Sequence, residues 1–236
     1  MESHRTKHLG AGVKRITIGG VMVGLVICTL AVSSGVASAH GSLAKARNAL
    51  LVLSDMPKGW TSAKSSPNTP FPDGAQLASC LGVPATVITY IPPTANSLEF
   101  NSKNSSQSVQ DNVSVYPSAK EALANLNSIA NAKGPQCLTN EFNGPAKASL
   151  ESGFGSGASI GTITVARTPA SDYAPHTANF TAFIPVTTQG TTVNIELTEV
   201  CFVKGDEEQT VTMLSVETPF PASLSLHLTK VADSRL

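Results

Sequence analysis

The chain has 236 residues, 41% of them hydrophobic and 14% charged, and its 16 basic residues balance its 16 acidic ones. A near-neutral chain carries no electrostatic case for nucleic acid or for an anionic membrane surface. Its length beyond residue 39 suffices for one domain with a substantial core.

Arg5, Lys7, Lys14 and Arg15 form a basic leader, Ile16 to Val36 is an uncharged apolar run, and Ala37-Ser38-Ala39 is a small-x-small cleavage signal. The expectation is a Sec-type signal peptide over residues 1–39 and an extracytoplasmic domain over 40–236. The apolar run is about as long as a membrane span, so an uncleaved anchor is the alternative. Cys28 follows Ile27, which is not the small residue a lipidation signal requires.

Removing the leader leaves Cys80, Cys137 and Cys201. Outside the cytoplasm one disulfide is expected, with an odd cysteine left over. Three pairings are open. Cys80–Cys137 is preferred because both sit beside turn-forming residues, whereas Cys201 sits inside a strand among aliphatic side chains. Cys201 is therefore expected as a buried free thiol.

Ser42 to Leu53 has helical apolar spacing and ends before Pro57, Gly59 and Trp60, the only tryptophan. Trp60 is the candidate ligand-lining residue, although a lone tryptophan after P-x-G is more often a core anchor. Thr61 to Gly74 reads as a Ser/Pro-rich surface loop. Ala75–Leu81 and Pro84–Tyr90 read as short helices, and Leu98–Phe100 as an extended piece. Ser106–Tyr116 reads as a strand whose apolar side, Val109, Val113 and Val115, is interrupted by Asp111, which suggests a sheet edge. Ser118 and Glu121 have capping-box spacing before an amphipathic helix that Gly134-Pro135 stops. Gly144–Gly157 reads as a flexible connector, and Ile160–Thr168 as a strand.

Thr177–Thr187, Thr191–Lys204 and Glu207–Val216 form three consecutive strands joined by Gln189-Gly190 and Gly205-Asp206. Turns that short require antiparallel pairing. In the second strand Val193, Ile195, Leu197, Cys201 and Val203 share one parity. Glu199 on that parity, with Val200 and Phe202 on the other, suggests a bulge or a second covered face. Asp206-Glu207-Glu208 reads as a solvated hairpin tip. Ala222–Ala232 reads as a last helix.

The fold class is therefore α+β: a single domain with an antiparallel β-sheet packed against helices and one disulfide. No catalytic constellation is legible. His40, His176 and His227 have no ligand-spaced partners, so no metal site and no cofactor is expected. Gly153-Phe154-Gly155-Ser156-Gly157 matches neither G-x-S-x-G nor G-x-G-x-x-G in the required context. Glu196 and Glu199 face opposite sides of one strand, which is wrong for a carboxylate pair.

The segment order carries a resemblance: L-S-D-M-P-K-G-W, A-S-C-L-G-V-P, V-S-V-Y-P-S-A-K-E-A, a Cys-Leu after the helix, and T-P-F-P-A-S-L after the last hairpin. It resembles actinobacterial secreted or anchored proteins similar to the extracellular sensor domain of a mycobacterial Ser/Thr protein kinase, the PknH-like extracellular domain. The resemblance spans about Ala44 to Leu236 and implies an antiparallel sheet on helices with a ligand-binding cleft. Cys80 and Cys137 match its cysteine pair, and Cys201 departs from it. The expected function is a non-enzymatic ligand-binding or sensor-like module of the cell envelope. Its partner would be a small-molecule or lipid-like ligand, or an envelope protein, and not nucleic acid. The alternatives are an interaction protein anchored by an uncleaved leader and a secreted hydrolase with a triad such as a serine with His176 and Asp172.

Overall fold

The computed structural model describes residues 40–65, 73–155, 157–168 and 175–236. The expected leader and its cleavage point lie outside the described residues, as do Asp172 and half of the Ser/Pro-rich loop, residues 66–72; the start of that loop is not irregular but forms a short strand, Thr61–Ala63.

In chain order the elements are α1 (His40–Ala49), a 3-10 turn (Leu53–Asp55), β1 (Thr61–Ala63), α2 (Gly74–Leu81), α3 (Ala85–Thr89), β2 (Thr94–Asn96), β3 (Glu99–Asn101) and β4 (Gln107–Val115). They continue as α4 (Ala119–Ile129), α5 (Gly134–Asn143), α6 (Lys147–Gly153), β5 (Ser159–Ile160) and β6 (Thr164–Thr168). The last are β7 (Thr177–Thr188), β8 (Thr191–Lys204), β9 (Glu207–Val216) and α7 (Ala222–Arg235). The class is α+β, a single domain built on one antiparallel sheet with strand order β1-β3-β4-β9-β8-β7-β5; β2 also pairs β4 and β6 also pairs β7.

The β7-β8-β9 meander stands where the alternation and turns placed it. Its turns use left-handed backbone at Gln189, Gly190 and Gly205, the conformation tight hairpins demand. The sheet is covered on both sides. On one face Phe180, Ile184, Ile195, Leu197, Val203 and Leu214 join Leu77, Leu126, Leu138 and Phe142 of the helices α2, α4 and α5. On the other, Val109, Val113, Val200, Phe202, Val211 and Met213 pack with Ala46, Ala49, Leu228 and Ala232 of α1 and α7. Val200 and Phe202 thus answer to a second covered face and not to a bulge: β7, β8 and β9 pair without interruption through this region.

Four local expectations are corrected. Gly134-Pro135 does not lie in a break before Cys137; it opens α5, with Pro135 in the first turn where no amide is missed. Part of the Gly144–Gly157 connector is helical, as α6. The Asp111 strand is interior, flanked by β9 on one side and by β2 and β3 on the other. Glu207 and Glu208 are buried in β9 and are not a solvated tip. The α4 cap forms in altered form. The Glu121 amide donates to the Ser118 hydroxyl at 3.3 Å, and the Glu121 carboxylate accepts from that same hydroxyl rather than from the Ser118 amide.

Cys80 and Cys137 form a disulfide across 57 residues, joining α2 to α5. Cys201 is fully buried. It is disulfide-bonded, however, and is not the free thiol expected. That expectation rested on setting Cys28 aside with the leader; the whole sequence holds four cysteines, an even number.

Candidate functional site

The register of β4, β9 and β8 builds the site. Side chains on one face of an antiparallel sheet line up across the strands. On the face toward α4 the rows read Gln110–Thr212–Glu199, then Asn112–Thr210–Cys201, then Ser114–Glu208–Val203. Asn96 and Thr94 of β2 extend the last two rows beyond Asn112 and Ser114. A face that begins with Leu197 and Leu214 therefore turns polar in its middle. Gln110, Asn112, Ser114, Glu199, Glu208, Thr210 and Thr212 are all buried there.

The two sides of this patch are held differently. α4 packs over β8 and β9, whereas the helix that packs closely on β4 is α1, on the opposite face. Asn125 of α4 donates from Nδ2 to Glu208 Oε2 at 2.8 Å. The Thr94 and Ser114 hydroxyls are 2.8 Å apart, and Thr212 Oγ1 donates to Glu199 Oε1 at 3.5 Å, at the long limit. Of the seven buried side-chain oxygens without a hydrogen-bond partner among the described residues, two lie in these rows: Thr210 Oγ1 and Glu208 Oε1. Burial pushes the Glu208 carboxyl up to about 8, against the opposing pull of Asn125 and Tyr116. Burial also raises the Tyr116 phenol, helped by Glu208. Near pH 7 the Glu208 carboxyl is thus predominantly neutral and able to donate a hydrogen bond.

A second polar network lies on the reverse face and is structural. Asp111, fully buried, accepts the Leu51 amide and the Gln209 side-chain amide, the latter at 2.7 Å. Burial raises its carboxyl to about 6, against those hydrogen bonds. Lys45 of α1 forms a close ion pair with buried Glu207. A third displaced carboxyl, Glu141 of α5, is raised to about 7 by burial and by the nearby charge of Asp73.

Trp60, the sequence candidate, is partly buried against the core on the α1 and α7 side, away from the polar rows. His227 is exposed on α7, and His176 is exposed just before β7. The polar rows escaped sequence reading because alternation in β4 assigns Gln110, Asn112 and Ser114 to solvent. Only the pairing with Thr210 and Thr212, themselves the polar side of another strand, reveals a common buried face.

No family model matches the chain, and no curated protein matches it. Among solved structures it is similar to the crystal structure of the extracellular domain of PknH from Mycobacterium tuberculosis, at 13% identity and a TM-score of 0.41. The similarity covers 79% of this chain and 92% of that one.

Proposed function

We propose that the protein is a non-enzymatic, sensor-like binding module of the cell envelope whose ligand engages the polar rows of β4, β9 and β8. The observation that carries this reading is the pair of unpartnered buried atoms, Thr210 Oγ1 and Glu208 Oε1, at the centre of the patch. A buried polar group without a partner costs about 1–3 kcal/mol, and an apolar pair at these positions would serve a purely structural sheet better. A ligand supplying the missing partners gives the arrangement a purpose.

The reading is of binding and not turnover because Asn125 and Tyr116 are the groups that address Glu208, and neither is a nucleophile poised by a base. The envelope assignment draws support from the leader pattern ending Ala37-Ser38-Ala39 and from the Cys80–Cys137 disulfide, a bond favoured outside the cytoplasm.

The test is a thermal-shift screen of the purified protein against neutral sugars, fatty acids, phospholipids and peptides, repeated on Thr210→Val. A ligand class that raises the melting temperature of the wild type but not of the variant is expected. Shifts that are identical in both proteins, or absent for every class, would sink the proposal.

A further inference from the structure

We propose that the open end of the sheet around Phe183 and Glu196 is an interaction surface for a partner protein that presents arginine or lysine side chains. It lies on the face opposite the polar rows and does not depend on the ligand reading above.

The surface exists because the helices on this face stop short of it. α1 and α7 pack over β4, β9 and the second half of β8, where Val200 and Phe202 belong to their cluster. Toward β7 and β6 the same face is open. Thr164, Ala166, Phe183 and Asn194 are exposed there, and Thr181, Pro185 and Glu196 are half-buried. Alternation puts Phe180, Ala182 and Ile184 of β7 into the core and sends Thr181 and Phe183 the other way. Threonine suits that outer side. Phe183 does not, yet it stands 48% exposed.

Charge selects the partner. Phe183 and Glu196 are directly opposed across β7 and β8, so their side chains start about 5 Å apart. Glu217 adds a second carboxylate at the end of the next row, where it accepts the Asn194 amide at 2.7 Å. The rows Thr164–Phe183–Glu196, Ala166–Thr181–Thr198 and Pro185–Asn194 hold no Lys, Arg or His. No ion pair among the described residues involves Glu196. A ring face beside such a carboxylate attracts a guanidinium or ammonium group by quadrupole and charge together. A second copy of this chain docked about a two-fold axis would instead bring Glu196 toward Glu196, a like-charge contact.

Shape selects a protein over a small cation. Small ligands take concave sites that enclose most of their surface, and this is an open sheet face. Nor is the partner added as a further strand. Asn143 of α5 accepts the Ile163 amide at 2.9 Å and donates to the Ile163 carbonyl at 2.7 Å, and Thr139 accepts the Val165 amide at 3.0 Å. α5 thus occupies the outward backbone groups beside β6, which closes that edge to pairing. Contact runs through the side chains of the face.

The experiment is an NMR titration of the isotope-labelled protein with a short arginine-rich peptide, beside glutamate-rich and serine-rich peptides. The arginine-rich peptide is expected to shift the amides of residues 181–185 and 194–198, less so as salt rises, and the other two are not. Phe183→Ala and Glu196→Gln should each weaken that binding about threefold, the scale of an exposed cation–π contact or ion pair. Glu196→Lys should abolish it, and Phe183→Trp should preserve it. All four variants change side chains open to solvent, so melting temperatures near that of the wild type are expected. Absence of shifts in those residues, equal shifts from the serine-rich peptide, or binding indifferent to both Phe183→Ala and Glu196→Gln would overturn the proposal. Self-association in sedimentation that Phe183→Ala abolishes would also overturn it, by giving the face to a second copy.

Discussion

The Asp111 carboxylate, in the middle of an interior strand, accepts the backbone amide of Leu51 at 3.2 Å. The contact joins the chain just beyond α1 to the sheet across 60 residues. The Gln209 side chain reaches the same carboxylate, and the Asp111 amide donates to Ser97 Oγ at 2.9 Å. Asp111→Ala would leave the Leu51 amide and the Gln209 amide unpaired in a buried place. The expected loss is about 3 kcal/mol or more, read as a lower denaturation midpoint at unchanged slope. Asp111→Asn keeps one acceptor and should lose less.

Four carboxyls are raised, Glu99 among them through burial, and the three raised furthest give the fold an unusual pH response. Glu208 titrates near 8, Glu141 near 7 and Asp111 near 6, each above the ordinary carboxylate range through burial foremost. Between those two ranges the folded chain holds more protons than the unfolded one, so stability falls as pH rises. Asp55 acts oppositely. Burial raises it, but the Arg235 and Val52 hydrogen bonds outweigh that and bring it below its ordinary value, so its contribution is lost only in strong acid. The melting temperature should therefore climb as pH falls from about 8 to about 5. Glu208→Gln should flatten the upper part of that climb. A scan in which the variant and wild type run parallel would count against the buried-acid account.

Arg235 closes the C-terminal helix onto the turn after α1. It donates to both Asp55 oxygens, at 2.7 and 2.8 Å, and to the Leu50 carbonyl at 2.8 Å. The fork geometry cannot be reproduced by an ammonium group. Arg235→Lys should thus recover little of the loss caused by Arg235→Ala, about 1–3 kcal/mol by denaturant titration. Full rescue by lysine would show that charge alone matters there.

The Cys80–Cys137 bond closes a loop with a sequence separation of 57. On the chain-entropy account its removal costs about 4 kcal/mol. The double variant Cys80→Ser/Cys137→Ser should melt markedly lower than wild type, and a reducing agent should not lower it further through this pair.

Gly134 is required by space. A Cβ there would lie 1.8 Å from the Ile129 carbonyl oxygen, a backbone atom that cannot swing aside. Gly134→Ala must displace the α4–α5 junction, and with it the start of the helix bearing Cys137. A destabilisation of about 2 kcal/mol or more is expected, measurable by chemical denaturation.

Local signals carried far in this chain. The alternation in β8, the glycine turns at Gly190 and Gly205, and the Ser118 cap with its apolar stripe each depend on neighbours a few residues away, so sequence determined them. The disulfide between Cys80 and Cys137 was preferred on equally local grounds. Tertiary structure decided the rest, because burial of one strand's face depends on what its partners present. Val200 and Phe202 meet Val211 and Met213 only once the sheet is covered by α1 and α7 as well as by α4. Asp111 looked like an edge marker until β9 and the end of α1 supplied its partners. Glu207 and Glu208 looked like a wet hairpin tip until Lys45 and Asn125 reached them. The candidate site followed the same rule. Gln110 and Asn112 are ordinary outward residues of a half-buried strand, and it is their register with Thr212 and Thr210 that makes them a buried polar surface.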